Sequence, residues 1–436
     1  MSEPVPAAPK TEWQLTDGYR RYALGLMVAI YVVNFIDRNI FSILIEPIKA
    51  EIQLTDTQLG FLGGISFAIF YTFLGIPIAR WADKGNRRNI VCLALLVWST
   101  MTAVIGLARN FWMLLAARIG VAVGEAGCTP PIHSLISDYF PVERRATALS
   151  IYSLGIPIGG AIGTLAGGWI GEYFGWRTAF LVVGLPGVLL ALLTRLTLRE
   201  LPRGFSDGAV AAPAPASSVR TGEVVRFLWS LKSFRHLSLA CALNGFIGYG
   251  VGLFTPSFFI RSHGLGLAET STWLFVAGLT GMLGTFLGGY LGDRFGRTDK
   301  RWYMWIPAIA LAASIPLNIP YYTTSNSLLA LVLNIPFAIL GTMYLGPCFA
   351  MTQALVKPGM RALASAILLF ILNIIGLGLG PWFVGFLSDF LGHYYGVESL
   401  RYSLFSVSVV VGLWATTHLY LAGKALGSDL EAKDRL

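Results

Sequence analysis

Charge is what this chain has least of. Only 13% of its 436 residues are Asp, Glu, Lys or Arg, against about 25% in an ordinary soluble domain. That is too little polar surface to cover a globule in water. Cysteine is nearly absent as well. The four present, Cys92, Cys128, Cys241 and Cys348, all lie inside apolar runs with no metal-ligand or disulfide spacing. This argues against a disulfide scaffold and a zinc site. No Gly-rich phosphate loop of the Walker type occurs, so ATP is not the expected energy source. Gly124-Glu-Ala-Gly127 lies within a helical run and does not qualify.

What the chain has instead is apolar length. Hydrophobic residues make up 55%, aromatics 13%, and there are 49 glycines. A bilayer crossing needs roughly 20 apolar residues. Twelve such runs are expected, at 22–45, 58–80, 89–108, 112–137, 146–170, 178–198, 236–260, 269–292, 302–320, 327–355, 362–389 and 400–422. Prolines inside them (Pro77, Pro157, Pro256, Pro336, Pro347) are expected to mark kinks. Met1–Thr16 is polar and Pro-rich and does not read as a signal peptide; the first apolar run is expected to direct insertion. Residues 201–221 hold Pro202, Gly204, Pro213, Pro215, Ser217 and Ser218, the composition of a flexible linker. Glu223–Lys232 reads as a short amphipathic helix. The expected organisation is an all-α membrane protein of two pseudo-symmetric six-helix bundles. Residues 1–21 form an N-terminal segment, 22–200 the first bundle, 201–234 the linker, 235–423 the second bundle and 424–436 a tail.

The net charge of +9 is distributed with one-sided bias. Of 32 Lys and Arg, 25 fall on the side shared by both termini. Five fall opposite (Lys49, Arg109, Arg177, Arg261, Arg401), and Arg38 and Arg118 lie inside spans. The positive-inside rule therefore puts both termini in the cytoplasm. A multi-pass protein of the plasma (inner) membrane, with no nucleic-acid partner, follows from the same distribution.

Four ionisable residues remain within spans: Asp37 and Arg38 in the first, Arg118 and Glu125 in the fourth. Each costs about 2.5–3.5 kcal/mol at a helix centre even on the lenient insertion scale. At 1.5 Å per residue, Asp37 sits roughly 22 Å and Glu125 roughly 18 Å from the cytoplasmic helix ends. Arg118 and Glu125 share a helix face. Two readings stay open: a structural ion network locking the first helix to the fourth, or an anion site with a titrating carboxylate.

Arg80-Trp-Ala-Asp83-Lys-Gly-Asn-Arg87-Arg88 returns as Gly289-Tyr-Leu-Gly-Asp293-Arg294-Phe-Gly-Arg297. Pro141-Val-Glu143-Arg144-Arg145 returns as Pro358-Gly-Met-Arg361. Each Asp83-type copy follows an apolar run, so the chain reads as two related halves, which in a membrane protein points to a transporter. The paired pattern resembles the loop motif of the major facilitator superfamily, with Ala79 and Asn86 replacing glycines in the first copy. Arg118-Ile-Gly-Val-Ala-Val-Gly124-Glu125-Ala126 resembles that family's fourth-helix motif linked to proton coupling. Ser153-Leu-Gly155-Ile-Pro157-Ile-Gly159-Gly160 resembles its antiporter motif, loosened by Ile156. Asn34-Phe-Ile-Asp37-Arg38 with Gly-Glu-Ala on the fourth helix is most similar to the Spinster group.

That resemblance implies alternating-access transport, without enzyme activity, of a lysolipid or sphingoid-phosphate-like anion. Asp37, Arg38, Arg118 and Glu125 would then serve substrate and proton. Asp83, Arg87, Arg88, Asp293 and Arg294 would form a cytoplasmic gate that parts and closes. Gly155 and Pro157 would form a flexible seam against the second half, the other reading being ordinary small-residue packing. No cofactor or metal is expected, with protons as the coupling ion, and a monomer is expected. Asn34, His133, Asn244, Tyr249, Asn334, Tyr344 and Asn373 are candidate cavity residues. Alternatives are an organic-anion or drug/proton exchanger, whose first helices also carry N-x-x-D-R, and a non-transporting membrane receptor.

Overall fold

A computed structural model describes residues 15–207 and 221–433. The expected terminal segments and linker are therefore covered only in part; residues 1–14, 208–220 and 434–436 lie outside the described residues. The described residues form helices and no strand.

Long apolar runs become helices because a lipid interior leaves backbone groups no other partner. Ten continuous runs cross singly: spans 1 to 10 at Asp17–Ile43, Asp56–Lys84, Arg87–Ile105, Phe111–Tyr139, Val142–Phe174, Trp176–Thr197, Lys232–His263, Leu267–Phe295, Trp302–Thr323 and Ser327–Ala354. The remaining run, Arg361–Glu431, is two spans. It doubles back at Gly396, whose φ of 53° suits glycine. Ser403 Oγ donates to the Val384 carbonyl at 2.7 Å, the Ser388 and Ser399 hydroxyls lie 3.4 Å apart, and the tilted Tyr395 and Tyr402 rings are centred 4.1 Å apart. These pairs bracket one point of the chain, as an antiparallel hairpin requires. Span 11 thus runs from Arg361 to Tyr395 and span 12 from Ser399 to Lys433. Twelve crossings result among the described residues, as the apolar runs imply.

Of the expected prolines, Pro157 and Pro347 stand just after helix breaks and the other three do not. Pro77, Pro256 and Pro336 sit inside unbroken helices. Breaks fall at Gly64 in span 2, Gly127–Cys128 in span 4, Leu154 in span 5 and Met343–Tyr344 in span 10. Span 11 opens into a π-helix over Leu372–Leu379. Pro131 and Pro347 each stand third in the helix that follows a break, where a missing N–H costs little. They occupy matching places in spans 4 and 10, so the two halves repeat down to their discontinuities. The short helix Thr221–Ser230 forms as expected and buries Val224 and Leu228 against the second half.

The halves meet at the end of the spans away from the termini. Span 2 packs on span 11 so closely that a Cβ at Gly60 would stand 2.2 Å from the Pro381 carbonyl oxygen, and one at Gly64 2.5 Å from that of Gly378. Span 5 meets span 8 in the same way, Gly168 against Ser271. Ser42 of span 1 donates to the Leu253 carbonyl of span 7 at 2.8 Å.

Candidate functional site

The intramembrane charges do converge. Arg38 Nε donates to Glu125 Oε2 at 2.5 Å, joining span 1 to span 4. Glu125 is fully buried on its side chain, whereas Arg38 keeps 19% of its side-chain exposure. The pair is thus a buried carboxylate reached through a cation that still touches open space. The bond uses Nε, so the Nη groups of the guanidinium lie outside it. Arg118 is 4% exposed and donates from Nε to the Leu62 carbonyl at 3.3 Å. That carbonyl sits in the turn before the Gly64 break of span 2.

Aromatic rings hold both cations. The Phe67 ring centre lies 5.1 Å from Arg38 Cζ and 5.2 Å from Arg118 Cζ, so one ring separates two like charges. Arg38 also lies on Tyr71 and Phe35, and Arg118 on Phe41. Such contacts contribute roughly 0.5–2 kcal/mol each, more as water is removed. Asp37 is 1% exposed, beside Thr102, Trp98, Arg118 and Glu125. Its oxygens make no well-aligned hydrogen bond, and neither do Asn34 Nδ2, Arg118 Nη1 and Glu125 Oε1 close by. Buried polar groups left this way are costly in a fixed core. They are concentrated around the ion pair that joins spans 1 and 4.

The second half contributes no buried charge among the described residues. It contributes Tyr249, which faces Arg38 and Tyr71 across the halves yet remains 41% exposed. Tyr344 and Asn373 are half-buried, Tyr344 beside Tyr249. Asn34 lies by Glu125. The other three candidate cavity residues have contacts of their own. Asn244 is 7% exposed and donates to the Ala240 carbonyl of its own helix at 3.1 Å. Asn334 accepts from the buried Tyr321 hydroxyl at 3.5 Å. His133 stands edge-on to Tyr152 at 5.5 Å.

The expected gate residues divide. Arg87 is 1% exposed and binds Asp138, Glu200 at 2.8 Å and the Leu201 carbonyl at 2.7 Å, all within the first half and the start of the linker. Arg88 reaches the Leu198 carbonyl, and its backbone N–H donates to Glu200. Asp83 is exposed. Asp293 accepts from Tyr303 at 2.7 Å, and Arg294 donates to Tyr290 at 3.4 Å. In this arrangement these side chains bind within their own halves. Of the expected seam of Gly155 and Pro157 against the second half, Gly155 packs inside the first half. A Cβ at Gly155 would meet Tyr31 at 2.8 Å, at Gly159 the Val32 carbonyl oxygen at 2.3 Å, and at Gly163 Ile36. The glycine stripe is the packing face of span 5 on span 1, inside the first half. Another face of span 5 packs on span 8, most closely where Gly168 meets Ser271.

A charged assembly that sequence reading left among solvated loops closes the far end. Arg261 of span 7 forks onto Glu46 (2.7 and 2.9 Å) and Asp56 (2.7 Å twice) of the first half. Lys49 donates to Asp56 at 2.6 Å and Ser388 of span 11 to Asp56 at 2.7 Å. Asp56 is 2% exposed. Lys49, Asp56, Arg261 and Ser388 border a cavity of about 420 Å³ with Asp389 and Val397. One signal was available: cations are rare on that side, and four of the five (Lys49, Arg177, Arg261, Arg401) have a carboxylate partner.

The comparisons agree with this geometry. Residues 27–381 match the family described as Major Facilitator Superfamily. The chain is 34% identical to an MFS-type efflux pump of Mycolicibacterium smegmatis, covering 99% of each chain. It is 26% identical to Protein spinster homolog 1 of Bos taurus, covering 88% of this chain and 77% of that one. Among solved structures, it superposes with a TM-score of 0.88 and 34% identity on a bacterial homolog to the human lysosomal transporter Spinster, in an inward-facing and unoccupied conformation. That match covers 95% of this chain and 99% of the other. The chain belongs to the major facilitator superfamily, as a Spinster-like transporter.

Proposed function

We propose that this transporter moves an amphiphilic anion, of the lysolipid or sphingoid-phosphate kind, by alternating access coupled to protons. The observation that carries the reading is the Arg38–Glu125 pair at 2.5 Å, buried on the acid and open on the base. A phosphate or carboxylate headgroup arriving at the exposed face of Arg38 competes with Glu125 for one guanidinium. Glu125 released into an apolar surround takes up a proton, because an unpaired buried carboxylate is far costlier than a neutral acid. Substrate binding and protonation thereby become linked events at one side chain. Asp37 is the second acid of the same cluster.

The cavity wall supports an amphiphile. Charge is confined to the first half, and the facing wall offers Tyr249 and half-buried apolar residues, suited to a tail. On this reading the transporter works as a monomer in the plasma membrane, and the one-sided Lys and Arg distribution supports cytoplasmic termini. The halves joined at the far end then correspond to a cavity open to the cytoplasm. Asp83 and Asp293, engaged here only within their halves or with solvent, latch the cytoplasmic ends when the cavity faces outward.

The kinship with an efflux pump favours a second reading, export of an organic anion or drug in exchange for protons. A proteoliposome flux screen under a pH gradient separates them. Lysolipids and sphingoid phosphates should saturate and compete; saturation by a small organic acid or drug while both lipid classes fail overturns the first reading. Glu125→Gln should abolish the response of flux to the gradient. A full response in that variant removes Glu125 from coupling.

A further inference from the structure

Two carboxylates at the far end do something other than pair with cations. Asp389, on span 11, accepts from the backbone N–H groups of Asp56 (3.1 Å) and Thr57 (2.7 Å) and from the Thr57 hydroxyl (2.6 Å). Asp56 and Thr57 are the first residues of span 2, in the other half. Glu172, near the end of span 5, accepts from the backbone N–H of Ala268 at 2.7 Å. Ala268 is the second residue of span 8, again in the other half. Opening residues of a helix carry N–H groups with no partner inside it, and the positive end of the helix dipole attracts an anion there. Each acid therefore caps a helix that belongs to the opposite bundle.

The two caps are the same device used twice. The interval from Glu172 to Asp389 is close to those from Asp83 to Asp293 and from Arg145 to Arg361, so the acids occupy repeat-related places on spans 5 and 11. Their targets, the starts of spans 8 and 2, are repeat-related by a similar interval. The caps are thus exchanged reciprocally between halves. Span 2 already caps itself through Thr55, whose side chain and Gln58 form a capping box. Span 8 has Gly266 at its cap position, with no side-chain bond of its own. Glu172 supplies what Gly266 cannot.

We infer that Glu172 and Asp389 are gating residues of transport: two reciprocal helix caps that hold the far ends of the bundles shut and must both be withdrawn before the cavity opens on that side. Both side chains are on exposed residues, so water replaces the lost bonds when the caps withdraw, and the seal is reversible. The inference does not rest on the identity of the cargo or on proton coupling.

The test uses the full chain in lipid nanodiscs, with spin labels on two exposed pairs. Tyr173→Cys with Val397→Cys reads the far end, and Lys84→Cys with Lys357→Cys reads the terminus end; the native cysteines are buried. Glu172→Ala with Asp389→Ala should lengthen the far-end distance and shorten the terminus-end distance, each single variant giving a smaller shift in the same sense. Glu269→Gln, an exposed acid in the first turn of span 8 itself, should change neither. If the double variant does not fold, Glu172→Gln and Asp389→Asn are read by the same distances. Unchanged distances overturn the inference. So does a longer far-end distance without reciprocal closure at the other end, because that is local fraying of two helix starts.

Discussion

Arg38 carries more of the site than any other side chain, because its Nε bond to Glu125 and its stacking on Phe35, Phe67 and Tyr71 all require a planar guanidinium. Lysine keeps the charge and loses the plane. Arg38→Lys should therefore cut gradient-driven uptake by about tenfold or more, the range expected for a charge-assisted bond, while the protein still purifies as a stable monodisperse species. Uptake equal to the parent would show that charge alone suffices. A second prediction concerns the far surface. The Arg177 fork, with Trp176 behind it, holds the Glu51 carboxyl below the usual glutamate range. A depressed acid adds stability above its unfolded value and loses it as pH falls towards the folded one. Glu51→Gln should thus flatten the acid limb of a melting-temperature profile from about pH 5 downward. The effect is small because the pair is half-exposed. An unaltered limb would assign the acid loss to other groups. At this scale the central cluster was legible in the sequence: a charge in an apolar run announces itself. Glu46, Asp56 and Asp389 were not, since an acid near a span end looks the same whether it meets water or the other half of the molecule.

Helices tell the same story through their glycines. Spacing of small residues along span 5 revealed a close-packed face, but a stripe on one helix does not name the helix it packs on, and the partner is span 1. The two kinds of glycine contact predict different failures. A methyl at Gly159 drives into the Val32 backbone inside the first bundle. Gly159→Ala should lower stability, by roughly 1–3 kcal/mol as for other overpacked sites, without biasing conformation. A methyl at Gly60 drives into the Pro381 backbone across the halves. The bundles can relieve that clash by parting, so Gly60→Ala should raise far-end accessibility to an impermeant thiol reagent at a reporter cysteine, with little loss of melting temperature. Equal thermal penalties for both variants would mean that the span 2–span 11 contact is structural packing of the same kind. The break at Gly64 has no proline beside it to signal it, whereas Pro157 follows the break at Leu154 and Pro347 the one at Met343. In lipid a proline can be carried in a continuous helix, whereas a turn pressed against a neighbour's backbone has to yield.

For the whole molecule, the count of crossings and the two-fold repeat followed from apolar length and one duplicated charged turn. The closing hairpin needed only Gly396. What the chain cannot announce in one dimension is which end is shut, because that depends on contacts between residues some two hundred positions apart. Arg261 is the hub of that closure. Removing it leaves Glu46 and the buried Asp56 without their shared cation, a change that costs about 3–5 kcal/mol for a buried pair. Arg261→Gln should speed amide hydrogen exchange in Ile45–Ile52 and Asp56–Gly63 by about tenfold or more; unchanged protection would place the closure in apolar packing instead. The orientation is checked separately. In intact cells an impermeant maleimide should label Val397→Cys and spare Lys84→Cys.

The single ring of Phe67 lodged between two guanidiniums has one more implication. The intramembrane ionic cluster is encoded before the linker, and Tyr249, which faces it, after. A gene spliced at the linker between two relatives should inherit its ion dependence from the first parent and its taste in cargo from the second.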